Sequence, residues 1–220
     1  MLKPISIILA IIVFLPLKSS GAGRLIDDFR HGAGPGWESR SFQGETRYFP
    51  AVVDNIPCLK AEADNSASGL FYKLEYDPAA EPILSWSWVA DNLVSRGDAR
   101  TKAGDDYPAR IYVVFPSLLF WRTRALNYVW ANRLPEGQAI PNSFTANAMM
   151  VAVESGPAHL GQWRSYRRNI RDDFRRYFGF EPPDVEAIAI MTDTDNTGEK
   201  ASACYGAIRV EGPDRAAAGR

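Results

Sequence analysis

Residues 83–89 read ILSWSWV, and their alternation decides the fold class. Leu84, Trp86 and Trp88 share one side of an extended chain and Ser85 and Ser87 the other, the two-residue period of a strand. The same period returns in the second half of residues 100–115, RTKAGDDYPARIYVVF. There a loop dense in both charge signs (Arg100, Lys102, Asp105, Asp106) runs into a strand with Ala109, Ile111, Val113 and Phe115 on one face. Arg110, Tyr112 and Val114 take the other face. Charges held on a rigid strand suit a binding site, and they equally suit a structural ion-pair network.

Working outward, further strands are predicted over residues 25–30, 37–42, 47–53, 57–63, 69–76, 125–130, 185–192 and 201–210. Residues 146–154 (ANAMMVAVE) are apolar throughout and predict a central strand buried on both faces. Residues 120–123 and 135–141 read as loops, and residues 163–170 as a helix or a strand. One short helix follows. Ile170, Phe174, Tyr177 and Phe178 have helical spacing, Asp172 and Asp173 sit at its start, Gly179 stops it, and Pro182-Pro183 prevents continuation. About ten short strands and one helix, without long helices between strands, predict an all-β antiparallel β-sandwich of jelly-roll type.

The chain has 220 residues. Residues 1–22 have the layout of a secretory signal peptide: a basic start, an apolar run over 5–17, and small residues near Ala22. That run is shorter than the roughly 20 residues of a membrane-spanning helix. The expected organisation is therefore a signal peptide over 1–22, one domain over 23–211, and a disordered tail over 212–220. Export to the periplasm or beyond follows, with no membrane span in the mature chain. Removing Lys3 and Lys18 from 25 basic residues leaves 23 against 26 acidic ones, a net charge of −3. A near-neutral net charge argues against nucleic acid or an anionic surface as the main partner. Cys58 and Cys204 are the two cysteines; in an oxidising compartment they permit one disulfide, and the alternative is two small core residues.

The runs RTKAGDDYPARIYVVF, ALNYVW, ANAMMVAVESG, RRNIRDDFRRYFG and MTDTDNTGEKASACYGAI together resemble the bacterial exported family called domain of unknown function 3047. The resemblance covers residues 25–210 and implies no established activity. The ending is also similar to the last two strands of carbohydrate-binding jelly rolls. There an aspartate commonly follows the Tyr-Gly of the closing strand, a place held here by Ala207.

Three sets of residues can carry chemistry. Lys102, Asp105, Asp106, Arg110 and Arg100 can hold a polar ligand by charge-assisted hydrogen bonds. Trp86 with Trp88, and Tyr128 with Trp130, can stack on sugar rings if they face a cleft, or else fill the core. Asp193 and Asp195, in DTDNTG, open like a calcium loop. Cys204 stands where an EF-hand needs its glutamate, so only a looser structural calcium site remains, with Asp27 or Asp28 as helpers; no other cofactor is expected. His31 and His159 are the two histidines, and there is no H-E-x-x-H, G-x-S-x-G, C-x-x-C or Gly-rich phosphate motif. The arginines of residues 163–176 offer a membrane-surface or glycan-phosphate role as one alternative, but they alternate with acids and apolar residues and read as a solvated face.

The leading expectation is a binding module for a saccharide or another polar cell-envelope ligand. The second is a glycan hydrolase or lyase using Asp105 or Asp106 with Asp195. The third is a structural or protein-interaction module whose charged loop is a brace.

Overall fold

The computed structural model describes residues 23–213. The expected signal peptide and the tail beyond residue 213 lie outside the described residues. Within them the chain forms two sheets of a β-sandwich of jelly-roll type, with one α-helix. No helix among the described residues is long and apolar enough to cross a membrane.

The strands are β1 (Arg24–Asp27), β2 (Trp37–Gln43), β3 (Arg47–Val53), β4 (Ile56–Asp64), β5 (Ala67–Tyr76), β6 (Ile83–Ala90) and β7 (Arg110–Phe115). They continue with β8 (Arg124–Ala131), β9 (Ala139–Pro141), β10 (Ala148–Ser155), β11 (Arg164–Asn169), β12 (Val185–Asp193) and β13 (Lys200–Glu211); helix α1 (Ile170–Phe178) stands before β12. One sheet runs β11-β6-β13-β4-β3, with β1 also paired to β13. The other runs β2-β5-β12-β7-β8-β10-β9. Every pairing is antiparallel except β8 with β10, which run parallel.

Thirteen strands replace the expected ten or so because two edge strands, β9 and β11, are not fixed by local pattern. β9, read as loop, is a three-residue strand because it hydrogen-bonds to Met149, Met150 and Val151. β11 is a strand over its full length, paired residue by residue with β6 from Arg164↔Trp88 to Asn169↔Ile83. The predicted loop at residues 120–123 contains a short 3-10 turn, Phe120–Arg122.

Alternation sends Leu84, Trp86, Trp88, Ile111, Val113, Phe115, Leu126, Tyr128 and Trp130 into one core between the sheets. Helix α1 closes one end of it. Asn169 caps the helix by accepting from the Asp172 amide, and Gly179 ends it in the left-handed region at φ 82°. Phe174 packs on Phe115 with ring centroids 4.6 Å apart.

Cys58 and Cys204 form a disulfide, with Cα atoms 5.7 Å apart on adjacent strands β4 and β13. It lies in a small cluster with Val89, covered by Trp163. Gly206 in β13 is required by packing rather than by φ: a Cβ there would stand 2.2 Å from Ser87 Oγ and 3.1 Å from Trp163.

Candidate functional site

The outer face of the seven-stranded sheet is half covered. The segment before β7 folds back over it, so that Ala99 and Tyr107 pack on Val129, Ala131, Met150 and Ala152 in a second small core. Gly104 lets that segment close up, since a Cβ there would meet the Asp98 amide nitrogen at 2.6 Å. What stays open is the half built by β2, β5, β12 and β7. It holds a cleft of about 390 Å³ lined by Asp105, Arg110, Tyr112, Met191, Asp193, Asp195 and Asn196, with Phe42 and Phe144 at its margins.

Arg110 forms the floor. It is the first residue of β7 and faces away from the core, yet it is only 5% exposed. Its guanidinium lies between the rings of Tyr107, at 5.2 Å, and Tyr112, at 5.3 Å. Its Nη2 donates to Asp193 Oδ2 and contacts Met191 Sδ at 3.4 Å, while Nε has no partner. Tyr205 reaches across the core to brace this corner. Its hydroxyl donates to Met191 O at 2.6 Å and accepts from the Arg110 amide at 3.2 Å.

The four aspartates play different parts. Asp105 accepts from Tyr107 Oη at 3.0 Å and from Asn142 Nδ2 at 2.8 Å. Asp106 turns the other way, as neighbours on an extended chain must. It accepts from the amides of Thr197, at 2.6 Å, and Asn196, at 3.3 Å, and so holds the β12–β13 hairpin. Asp193 is buried, which pushes its carboxyl above the ordinary range; Arg110 pulls it back, and the charges of Asp106, Asp105 and Asp195 push it up further. Asp195 is partly exposed and also raised, first by burial and then by the Asp106 carboxylate.

The predicted site residues separate into two groups. Asp105, Arg110, Asp193 and Asp195 line one cleft. Lys102 is exposed at its rim, its Nζ 5.2 Å over the Phe144 ring, and Asp106 lies just behind. Trp86, Trp88, Tyr128 and Trp130 do not join them. They are at most 3% exposed and fill the core between the sheets, so none can stack on a ligand. The parity of each pair was right, but burial on the inner face decides their use. The aromatic rings at the cleft are instead Tyr112, Phe42 (66% exposed) and Phe144 (54% exposed). The unbroken alternation of β7 pointed to Tyr112. Phe42 lies on an edge strand and Phe144 in a loop, where local pattern carries little signal.

One carboxylate oxygen from each of Asp106, Asp193 and Asp195 falls within 4.8 Å of the others. Asp27 and Asp28 are not in this cluster. Asp27 instead accepts from the amides of Phe29 and Gly34 and from Trp37 Nε1, and Asp28 pairs with Arg30. The cluster supplies three carboxylates toward the 6–8 oxygen ligands that calcium takes. Asp193 is already engaged by Arg110 and Asp106 by the hairpin amides, which leaves Asp195 with the freest oxygens. Acid–base work by Asp105 or Asp106 with Asp195 meets the same obstacle, because donors within the protein occupy both of the first two. A wider groove of about 490 Å³ on the other sheet is lined by exposed side chains that pair with each other, Arg47 with Glu62 and Lys200 with Asp64. It presents no aromatic ring and no fixed unpaired group.

Residues 35–209 match the family described as "Protein of unknown function (DUF3047)", and the chain belongs to that family. A comparison with curated proteins finds no match. Among solved structures, the chain is similar to the family 11 carbohydrate-binding module of a cellulosomal cellulase of Clostridium thermocellum. The identity is 13% and the TM-score 0.48, over 89% of this chain and 97% of that one. It is also similar to a family 30 carbohydrate-binding module from the same organism, at 10% identity and TM-score 0.46, over 87% and 98%. A third is the Emp47p carbohydrate recognition domain, at 11% identity and TM-score 0.47, over 88% and 100%.

Proposed function

We propose that this is an exported binding protein that takes a saccharide in the cleft over Arg110. The observation that carries the reading is the pairing of an ordered polar floor with exposed rings at its edge. Asp195 and Asn196 offer hydrogen-bond partners, while Phe42 and Phe144 expose apolar faces to solvent. A sugar ring has both surfaces, hydroxyls around its rim and C–H groups on its faces, and a cleft with few fixed polar groups among apolar walls suits it. The Cys58–Cys204 disulfide supports export, since such bonds persist in oxidising compartments.

Charge narrows the ligand class. Asp105, Asp193 and Asp195 face the cleft against Arg110, which is itself committed to Asp193, and Lys102 at the rim. The local field is therefore negative. Neutral oligosaccharides and amino-sugar oligomers fit it, and uronic-acid or phosphorylated glycans are repelled.

The test is a thermal-shift and calorimetric screen with cellulose-type, mixed-linkage and glucosamine oligomers against polygalacturonate. A ligand that binds the folded state raises the melting temperature by mass action. The expected result is a rise with a neutral or amino oligosaccharide and none with polygalacturonate. Phe42→Ala and Phe144→Ala should each weaken binding about tenfold, in the range of one lost aromatic contact. Binding that both variants retain in full, or no rise with any of these sugars, overturns the proposal.

A further inference from the structure

The loop between β7 and β8 exposes apolar side chains that the cleft does not use. Residues 118–121 read Leu-Leu-Phe-Trp. Leu118 is fully exposed, Leu119 is 39% exposed and Trp121 59% exposed. Phe180, 44% exposed, stands across a groove that also contains Pro116, Arg122, Arg124 and Pro183.

Basic groups surround this tip. The Arg124 guanidinium lies over the rings of Phe180, at 4.7 Å, and Phe178, at 5.6 Å. Arg176 is exposed on the last turn of α1 and stacks on Tyr177. Among the described residues, no carboxylate lies within ion-pair distance of Arg122, Arg124 or Arg176. Of the acids near Arg176 in sequence, Glu181 is taken by Arg171 at 3.0 Å and Arg175 at 3.1 Å, and Asp173 by Arg168 and Tyr128. Asp172 serves the start of the helix through Asn169.

We infer that the 116–124 loop docks the protein on an anionic lipid surface, with Leu118, Leu119 and Trp121 entering the interface and Arg122, Arg124 and Arg176 meeting the headgroups. Leucine and tryptophan beside arginine is the composition of an interfacial anchor, in which long basic side chains keep their charge at headgroup level. Unpaired arginines complement anionic lipid. A protein partner fits less well. A stable protein interface buries about 800 Å² per partner, and four apolar side chains on a loop tip with its neighbour offer too little for that. Insertion into a lipid interface needs only such a tip. This inference is independent of the saccharide cleft.

The test is flotation of the protein with vesicles of equal parts phosphatidylglycerol and phosphatidylcholine, against pure phosphatidylcholine. The expected result is binding to the anionic vesicles that weakens with added salt. The Trp121 emission, taken as the difference from Trp121→Phe, should shift to the blue on binding. The double variant Leu118→Asp with Leu119→Asp should lose at least about tenfold in vesicle partitioning, and Arg122→Glu with Arg124→Glu about tenfold on anionic vesicles. Leu118, Leu119, Trp121 and Arg122 are exposed and Arg124 is half-buried against Phe178 and Phe180, so unchanged melting temperatures are needed to show that the variants fold. No binding at low salt overturns the inference, as does binding that the double aspartate variant keeps. Self-association that this variant abolishes, without vesicle binding, assigns the patch to a second copy of the chain and overturns it equally.

Discussion

Arg110 and Asp193 form an ion pair in which the side chains are 7% and 1% exposed. Removing either partner leaves the other charge buried and uncompensated, which typically costs about 3–5 kcal/mol. Arg110→Met should therefore lower unfolding stability by that amount in urea titration, even though methionine fills much of the same volume. The loss should shrink toward low pH. Asp193 has a raised carboxyl in the folded protein, and without the guanidinium it is pushed up further, so it takes up a proton and the buried charge disappears. Retention of full stability at neutral pH by Arg110→Met would show that the pair does not order the cleft floor.

The β12–β13 hairpin is held by groups outside it. Asp106 fixes its tip, and Glu199 secures its far side by accepting from the Ser95 amide and hydroxyl and from the Arg96 amide. These donors, outweighing partial burial, lower the Glu199 carboxyl to about 2. A depressed carboxylate contributes stability that is fully present above its unfolded value and lost as pH falls through the folded one. The contribution of Glu199 should thus fade between about pH 4.5 and pH 2. Glu199→Gln should cost about 1.5–3 kcal/mol at pH 7, the range for hydrogen bonds to a charged group. Its stability should also fall less steeply than that of the parent over that acid window. Parallel pH curves for the two proteins, measured by thermal unfolding, would contradict this.

For the molecule as a whole, the disulfide is the covalent cross-link between distant parts of the chain. Cys58 and Cys204 are 146 residues apart in sequence. Closing a loop of that size restricts the unfolded chain, and removing a native disulfide from a domain costs about 2–5 kcal/mol. The double variant Cys58→Ala with Cys204→Ala should melt about 10 °C lower than the oxidised parent, given 2–4 °C per kcal/mol at this size. Saccharide binding should survive, because the disulfide sits on the six-stranded sheet and the cleft on the seven-stranded one. A variant as stable as the parent would show that Val89 and Trp163 hold that face without the bond.

What local chemistry controls was legible in the sequence. Alternation marked β6, β7 and β8, the cap and stop residues marked α1, and the charged run before β7 marked one wall of the cleft, because each depends on near neighbours in the chain. Membership of the family was legible in the same way, from long continuous motifs. Parity places Trp86 beside Trp88 and Arg110 beside Tyr112, but it does not say which side of a strand meets the other sheet. Both faces of the seven-stranded sheet bury apolar residues, one in the main core and one beneath Ala99 and Tyr107. Only the tertiary structure could therefore send the tryptophans inward and bring Phe42 and Phe144, 102 positions apart in the chain, to the margins of one cleft. The same holds for β9 and β11, whose extended form comes from hydrogen bonds to a neighbouring strand, and for the disulfide, which needs two distant strands side by side. Such contacts arise from how sheets stack and pair over the whole chain, and no window of sequence contains them.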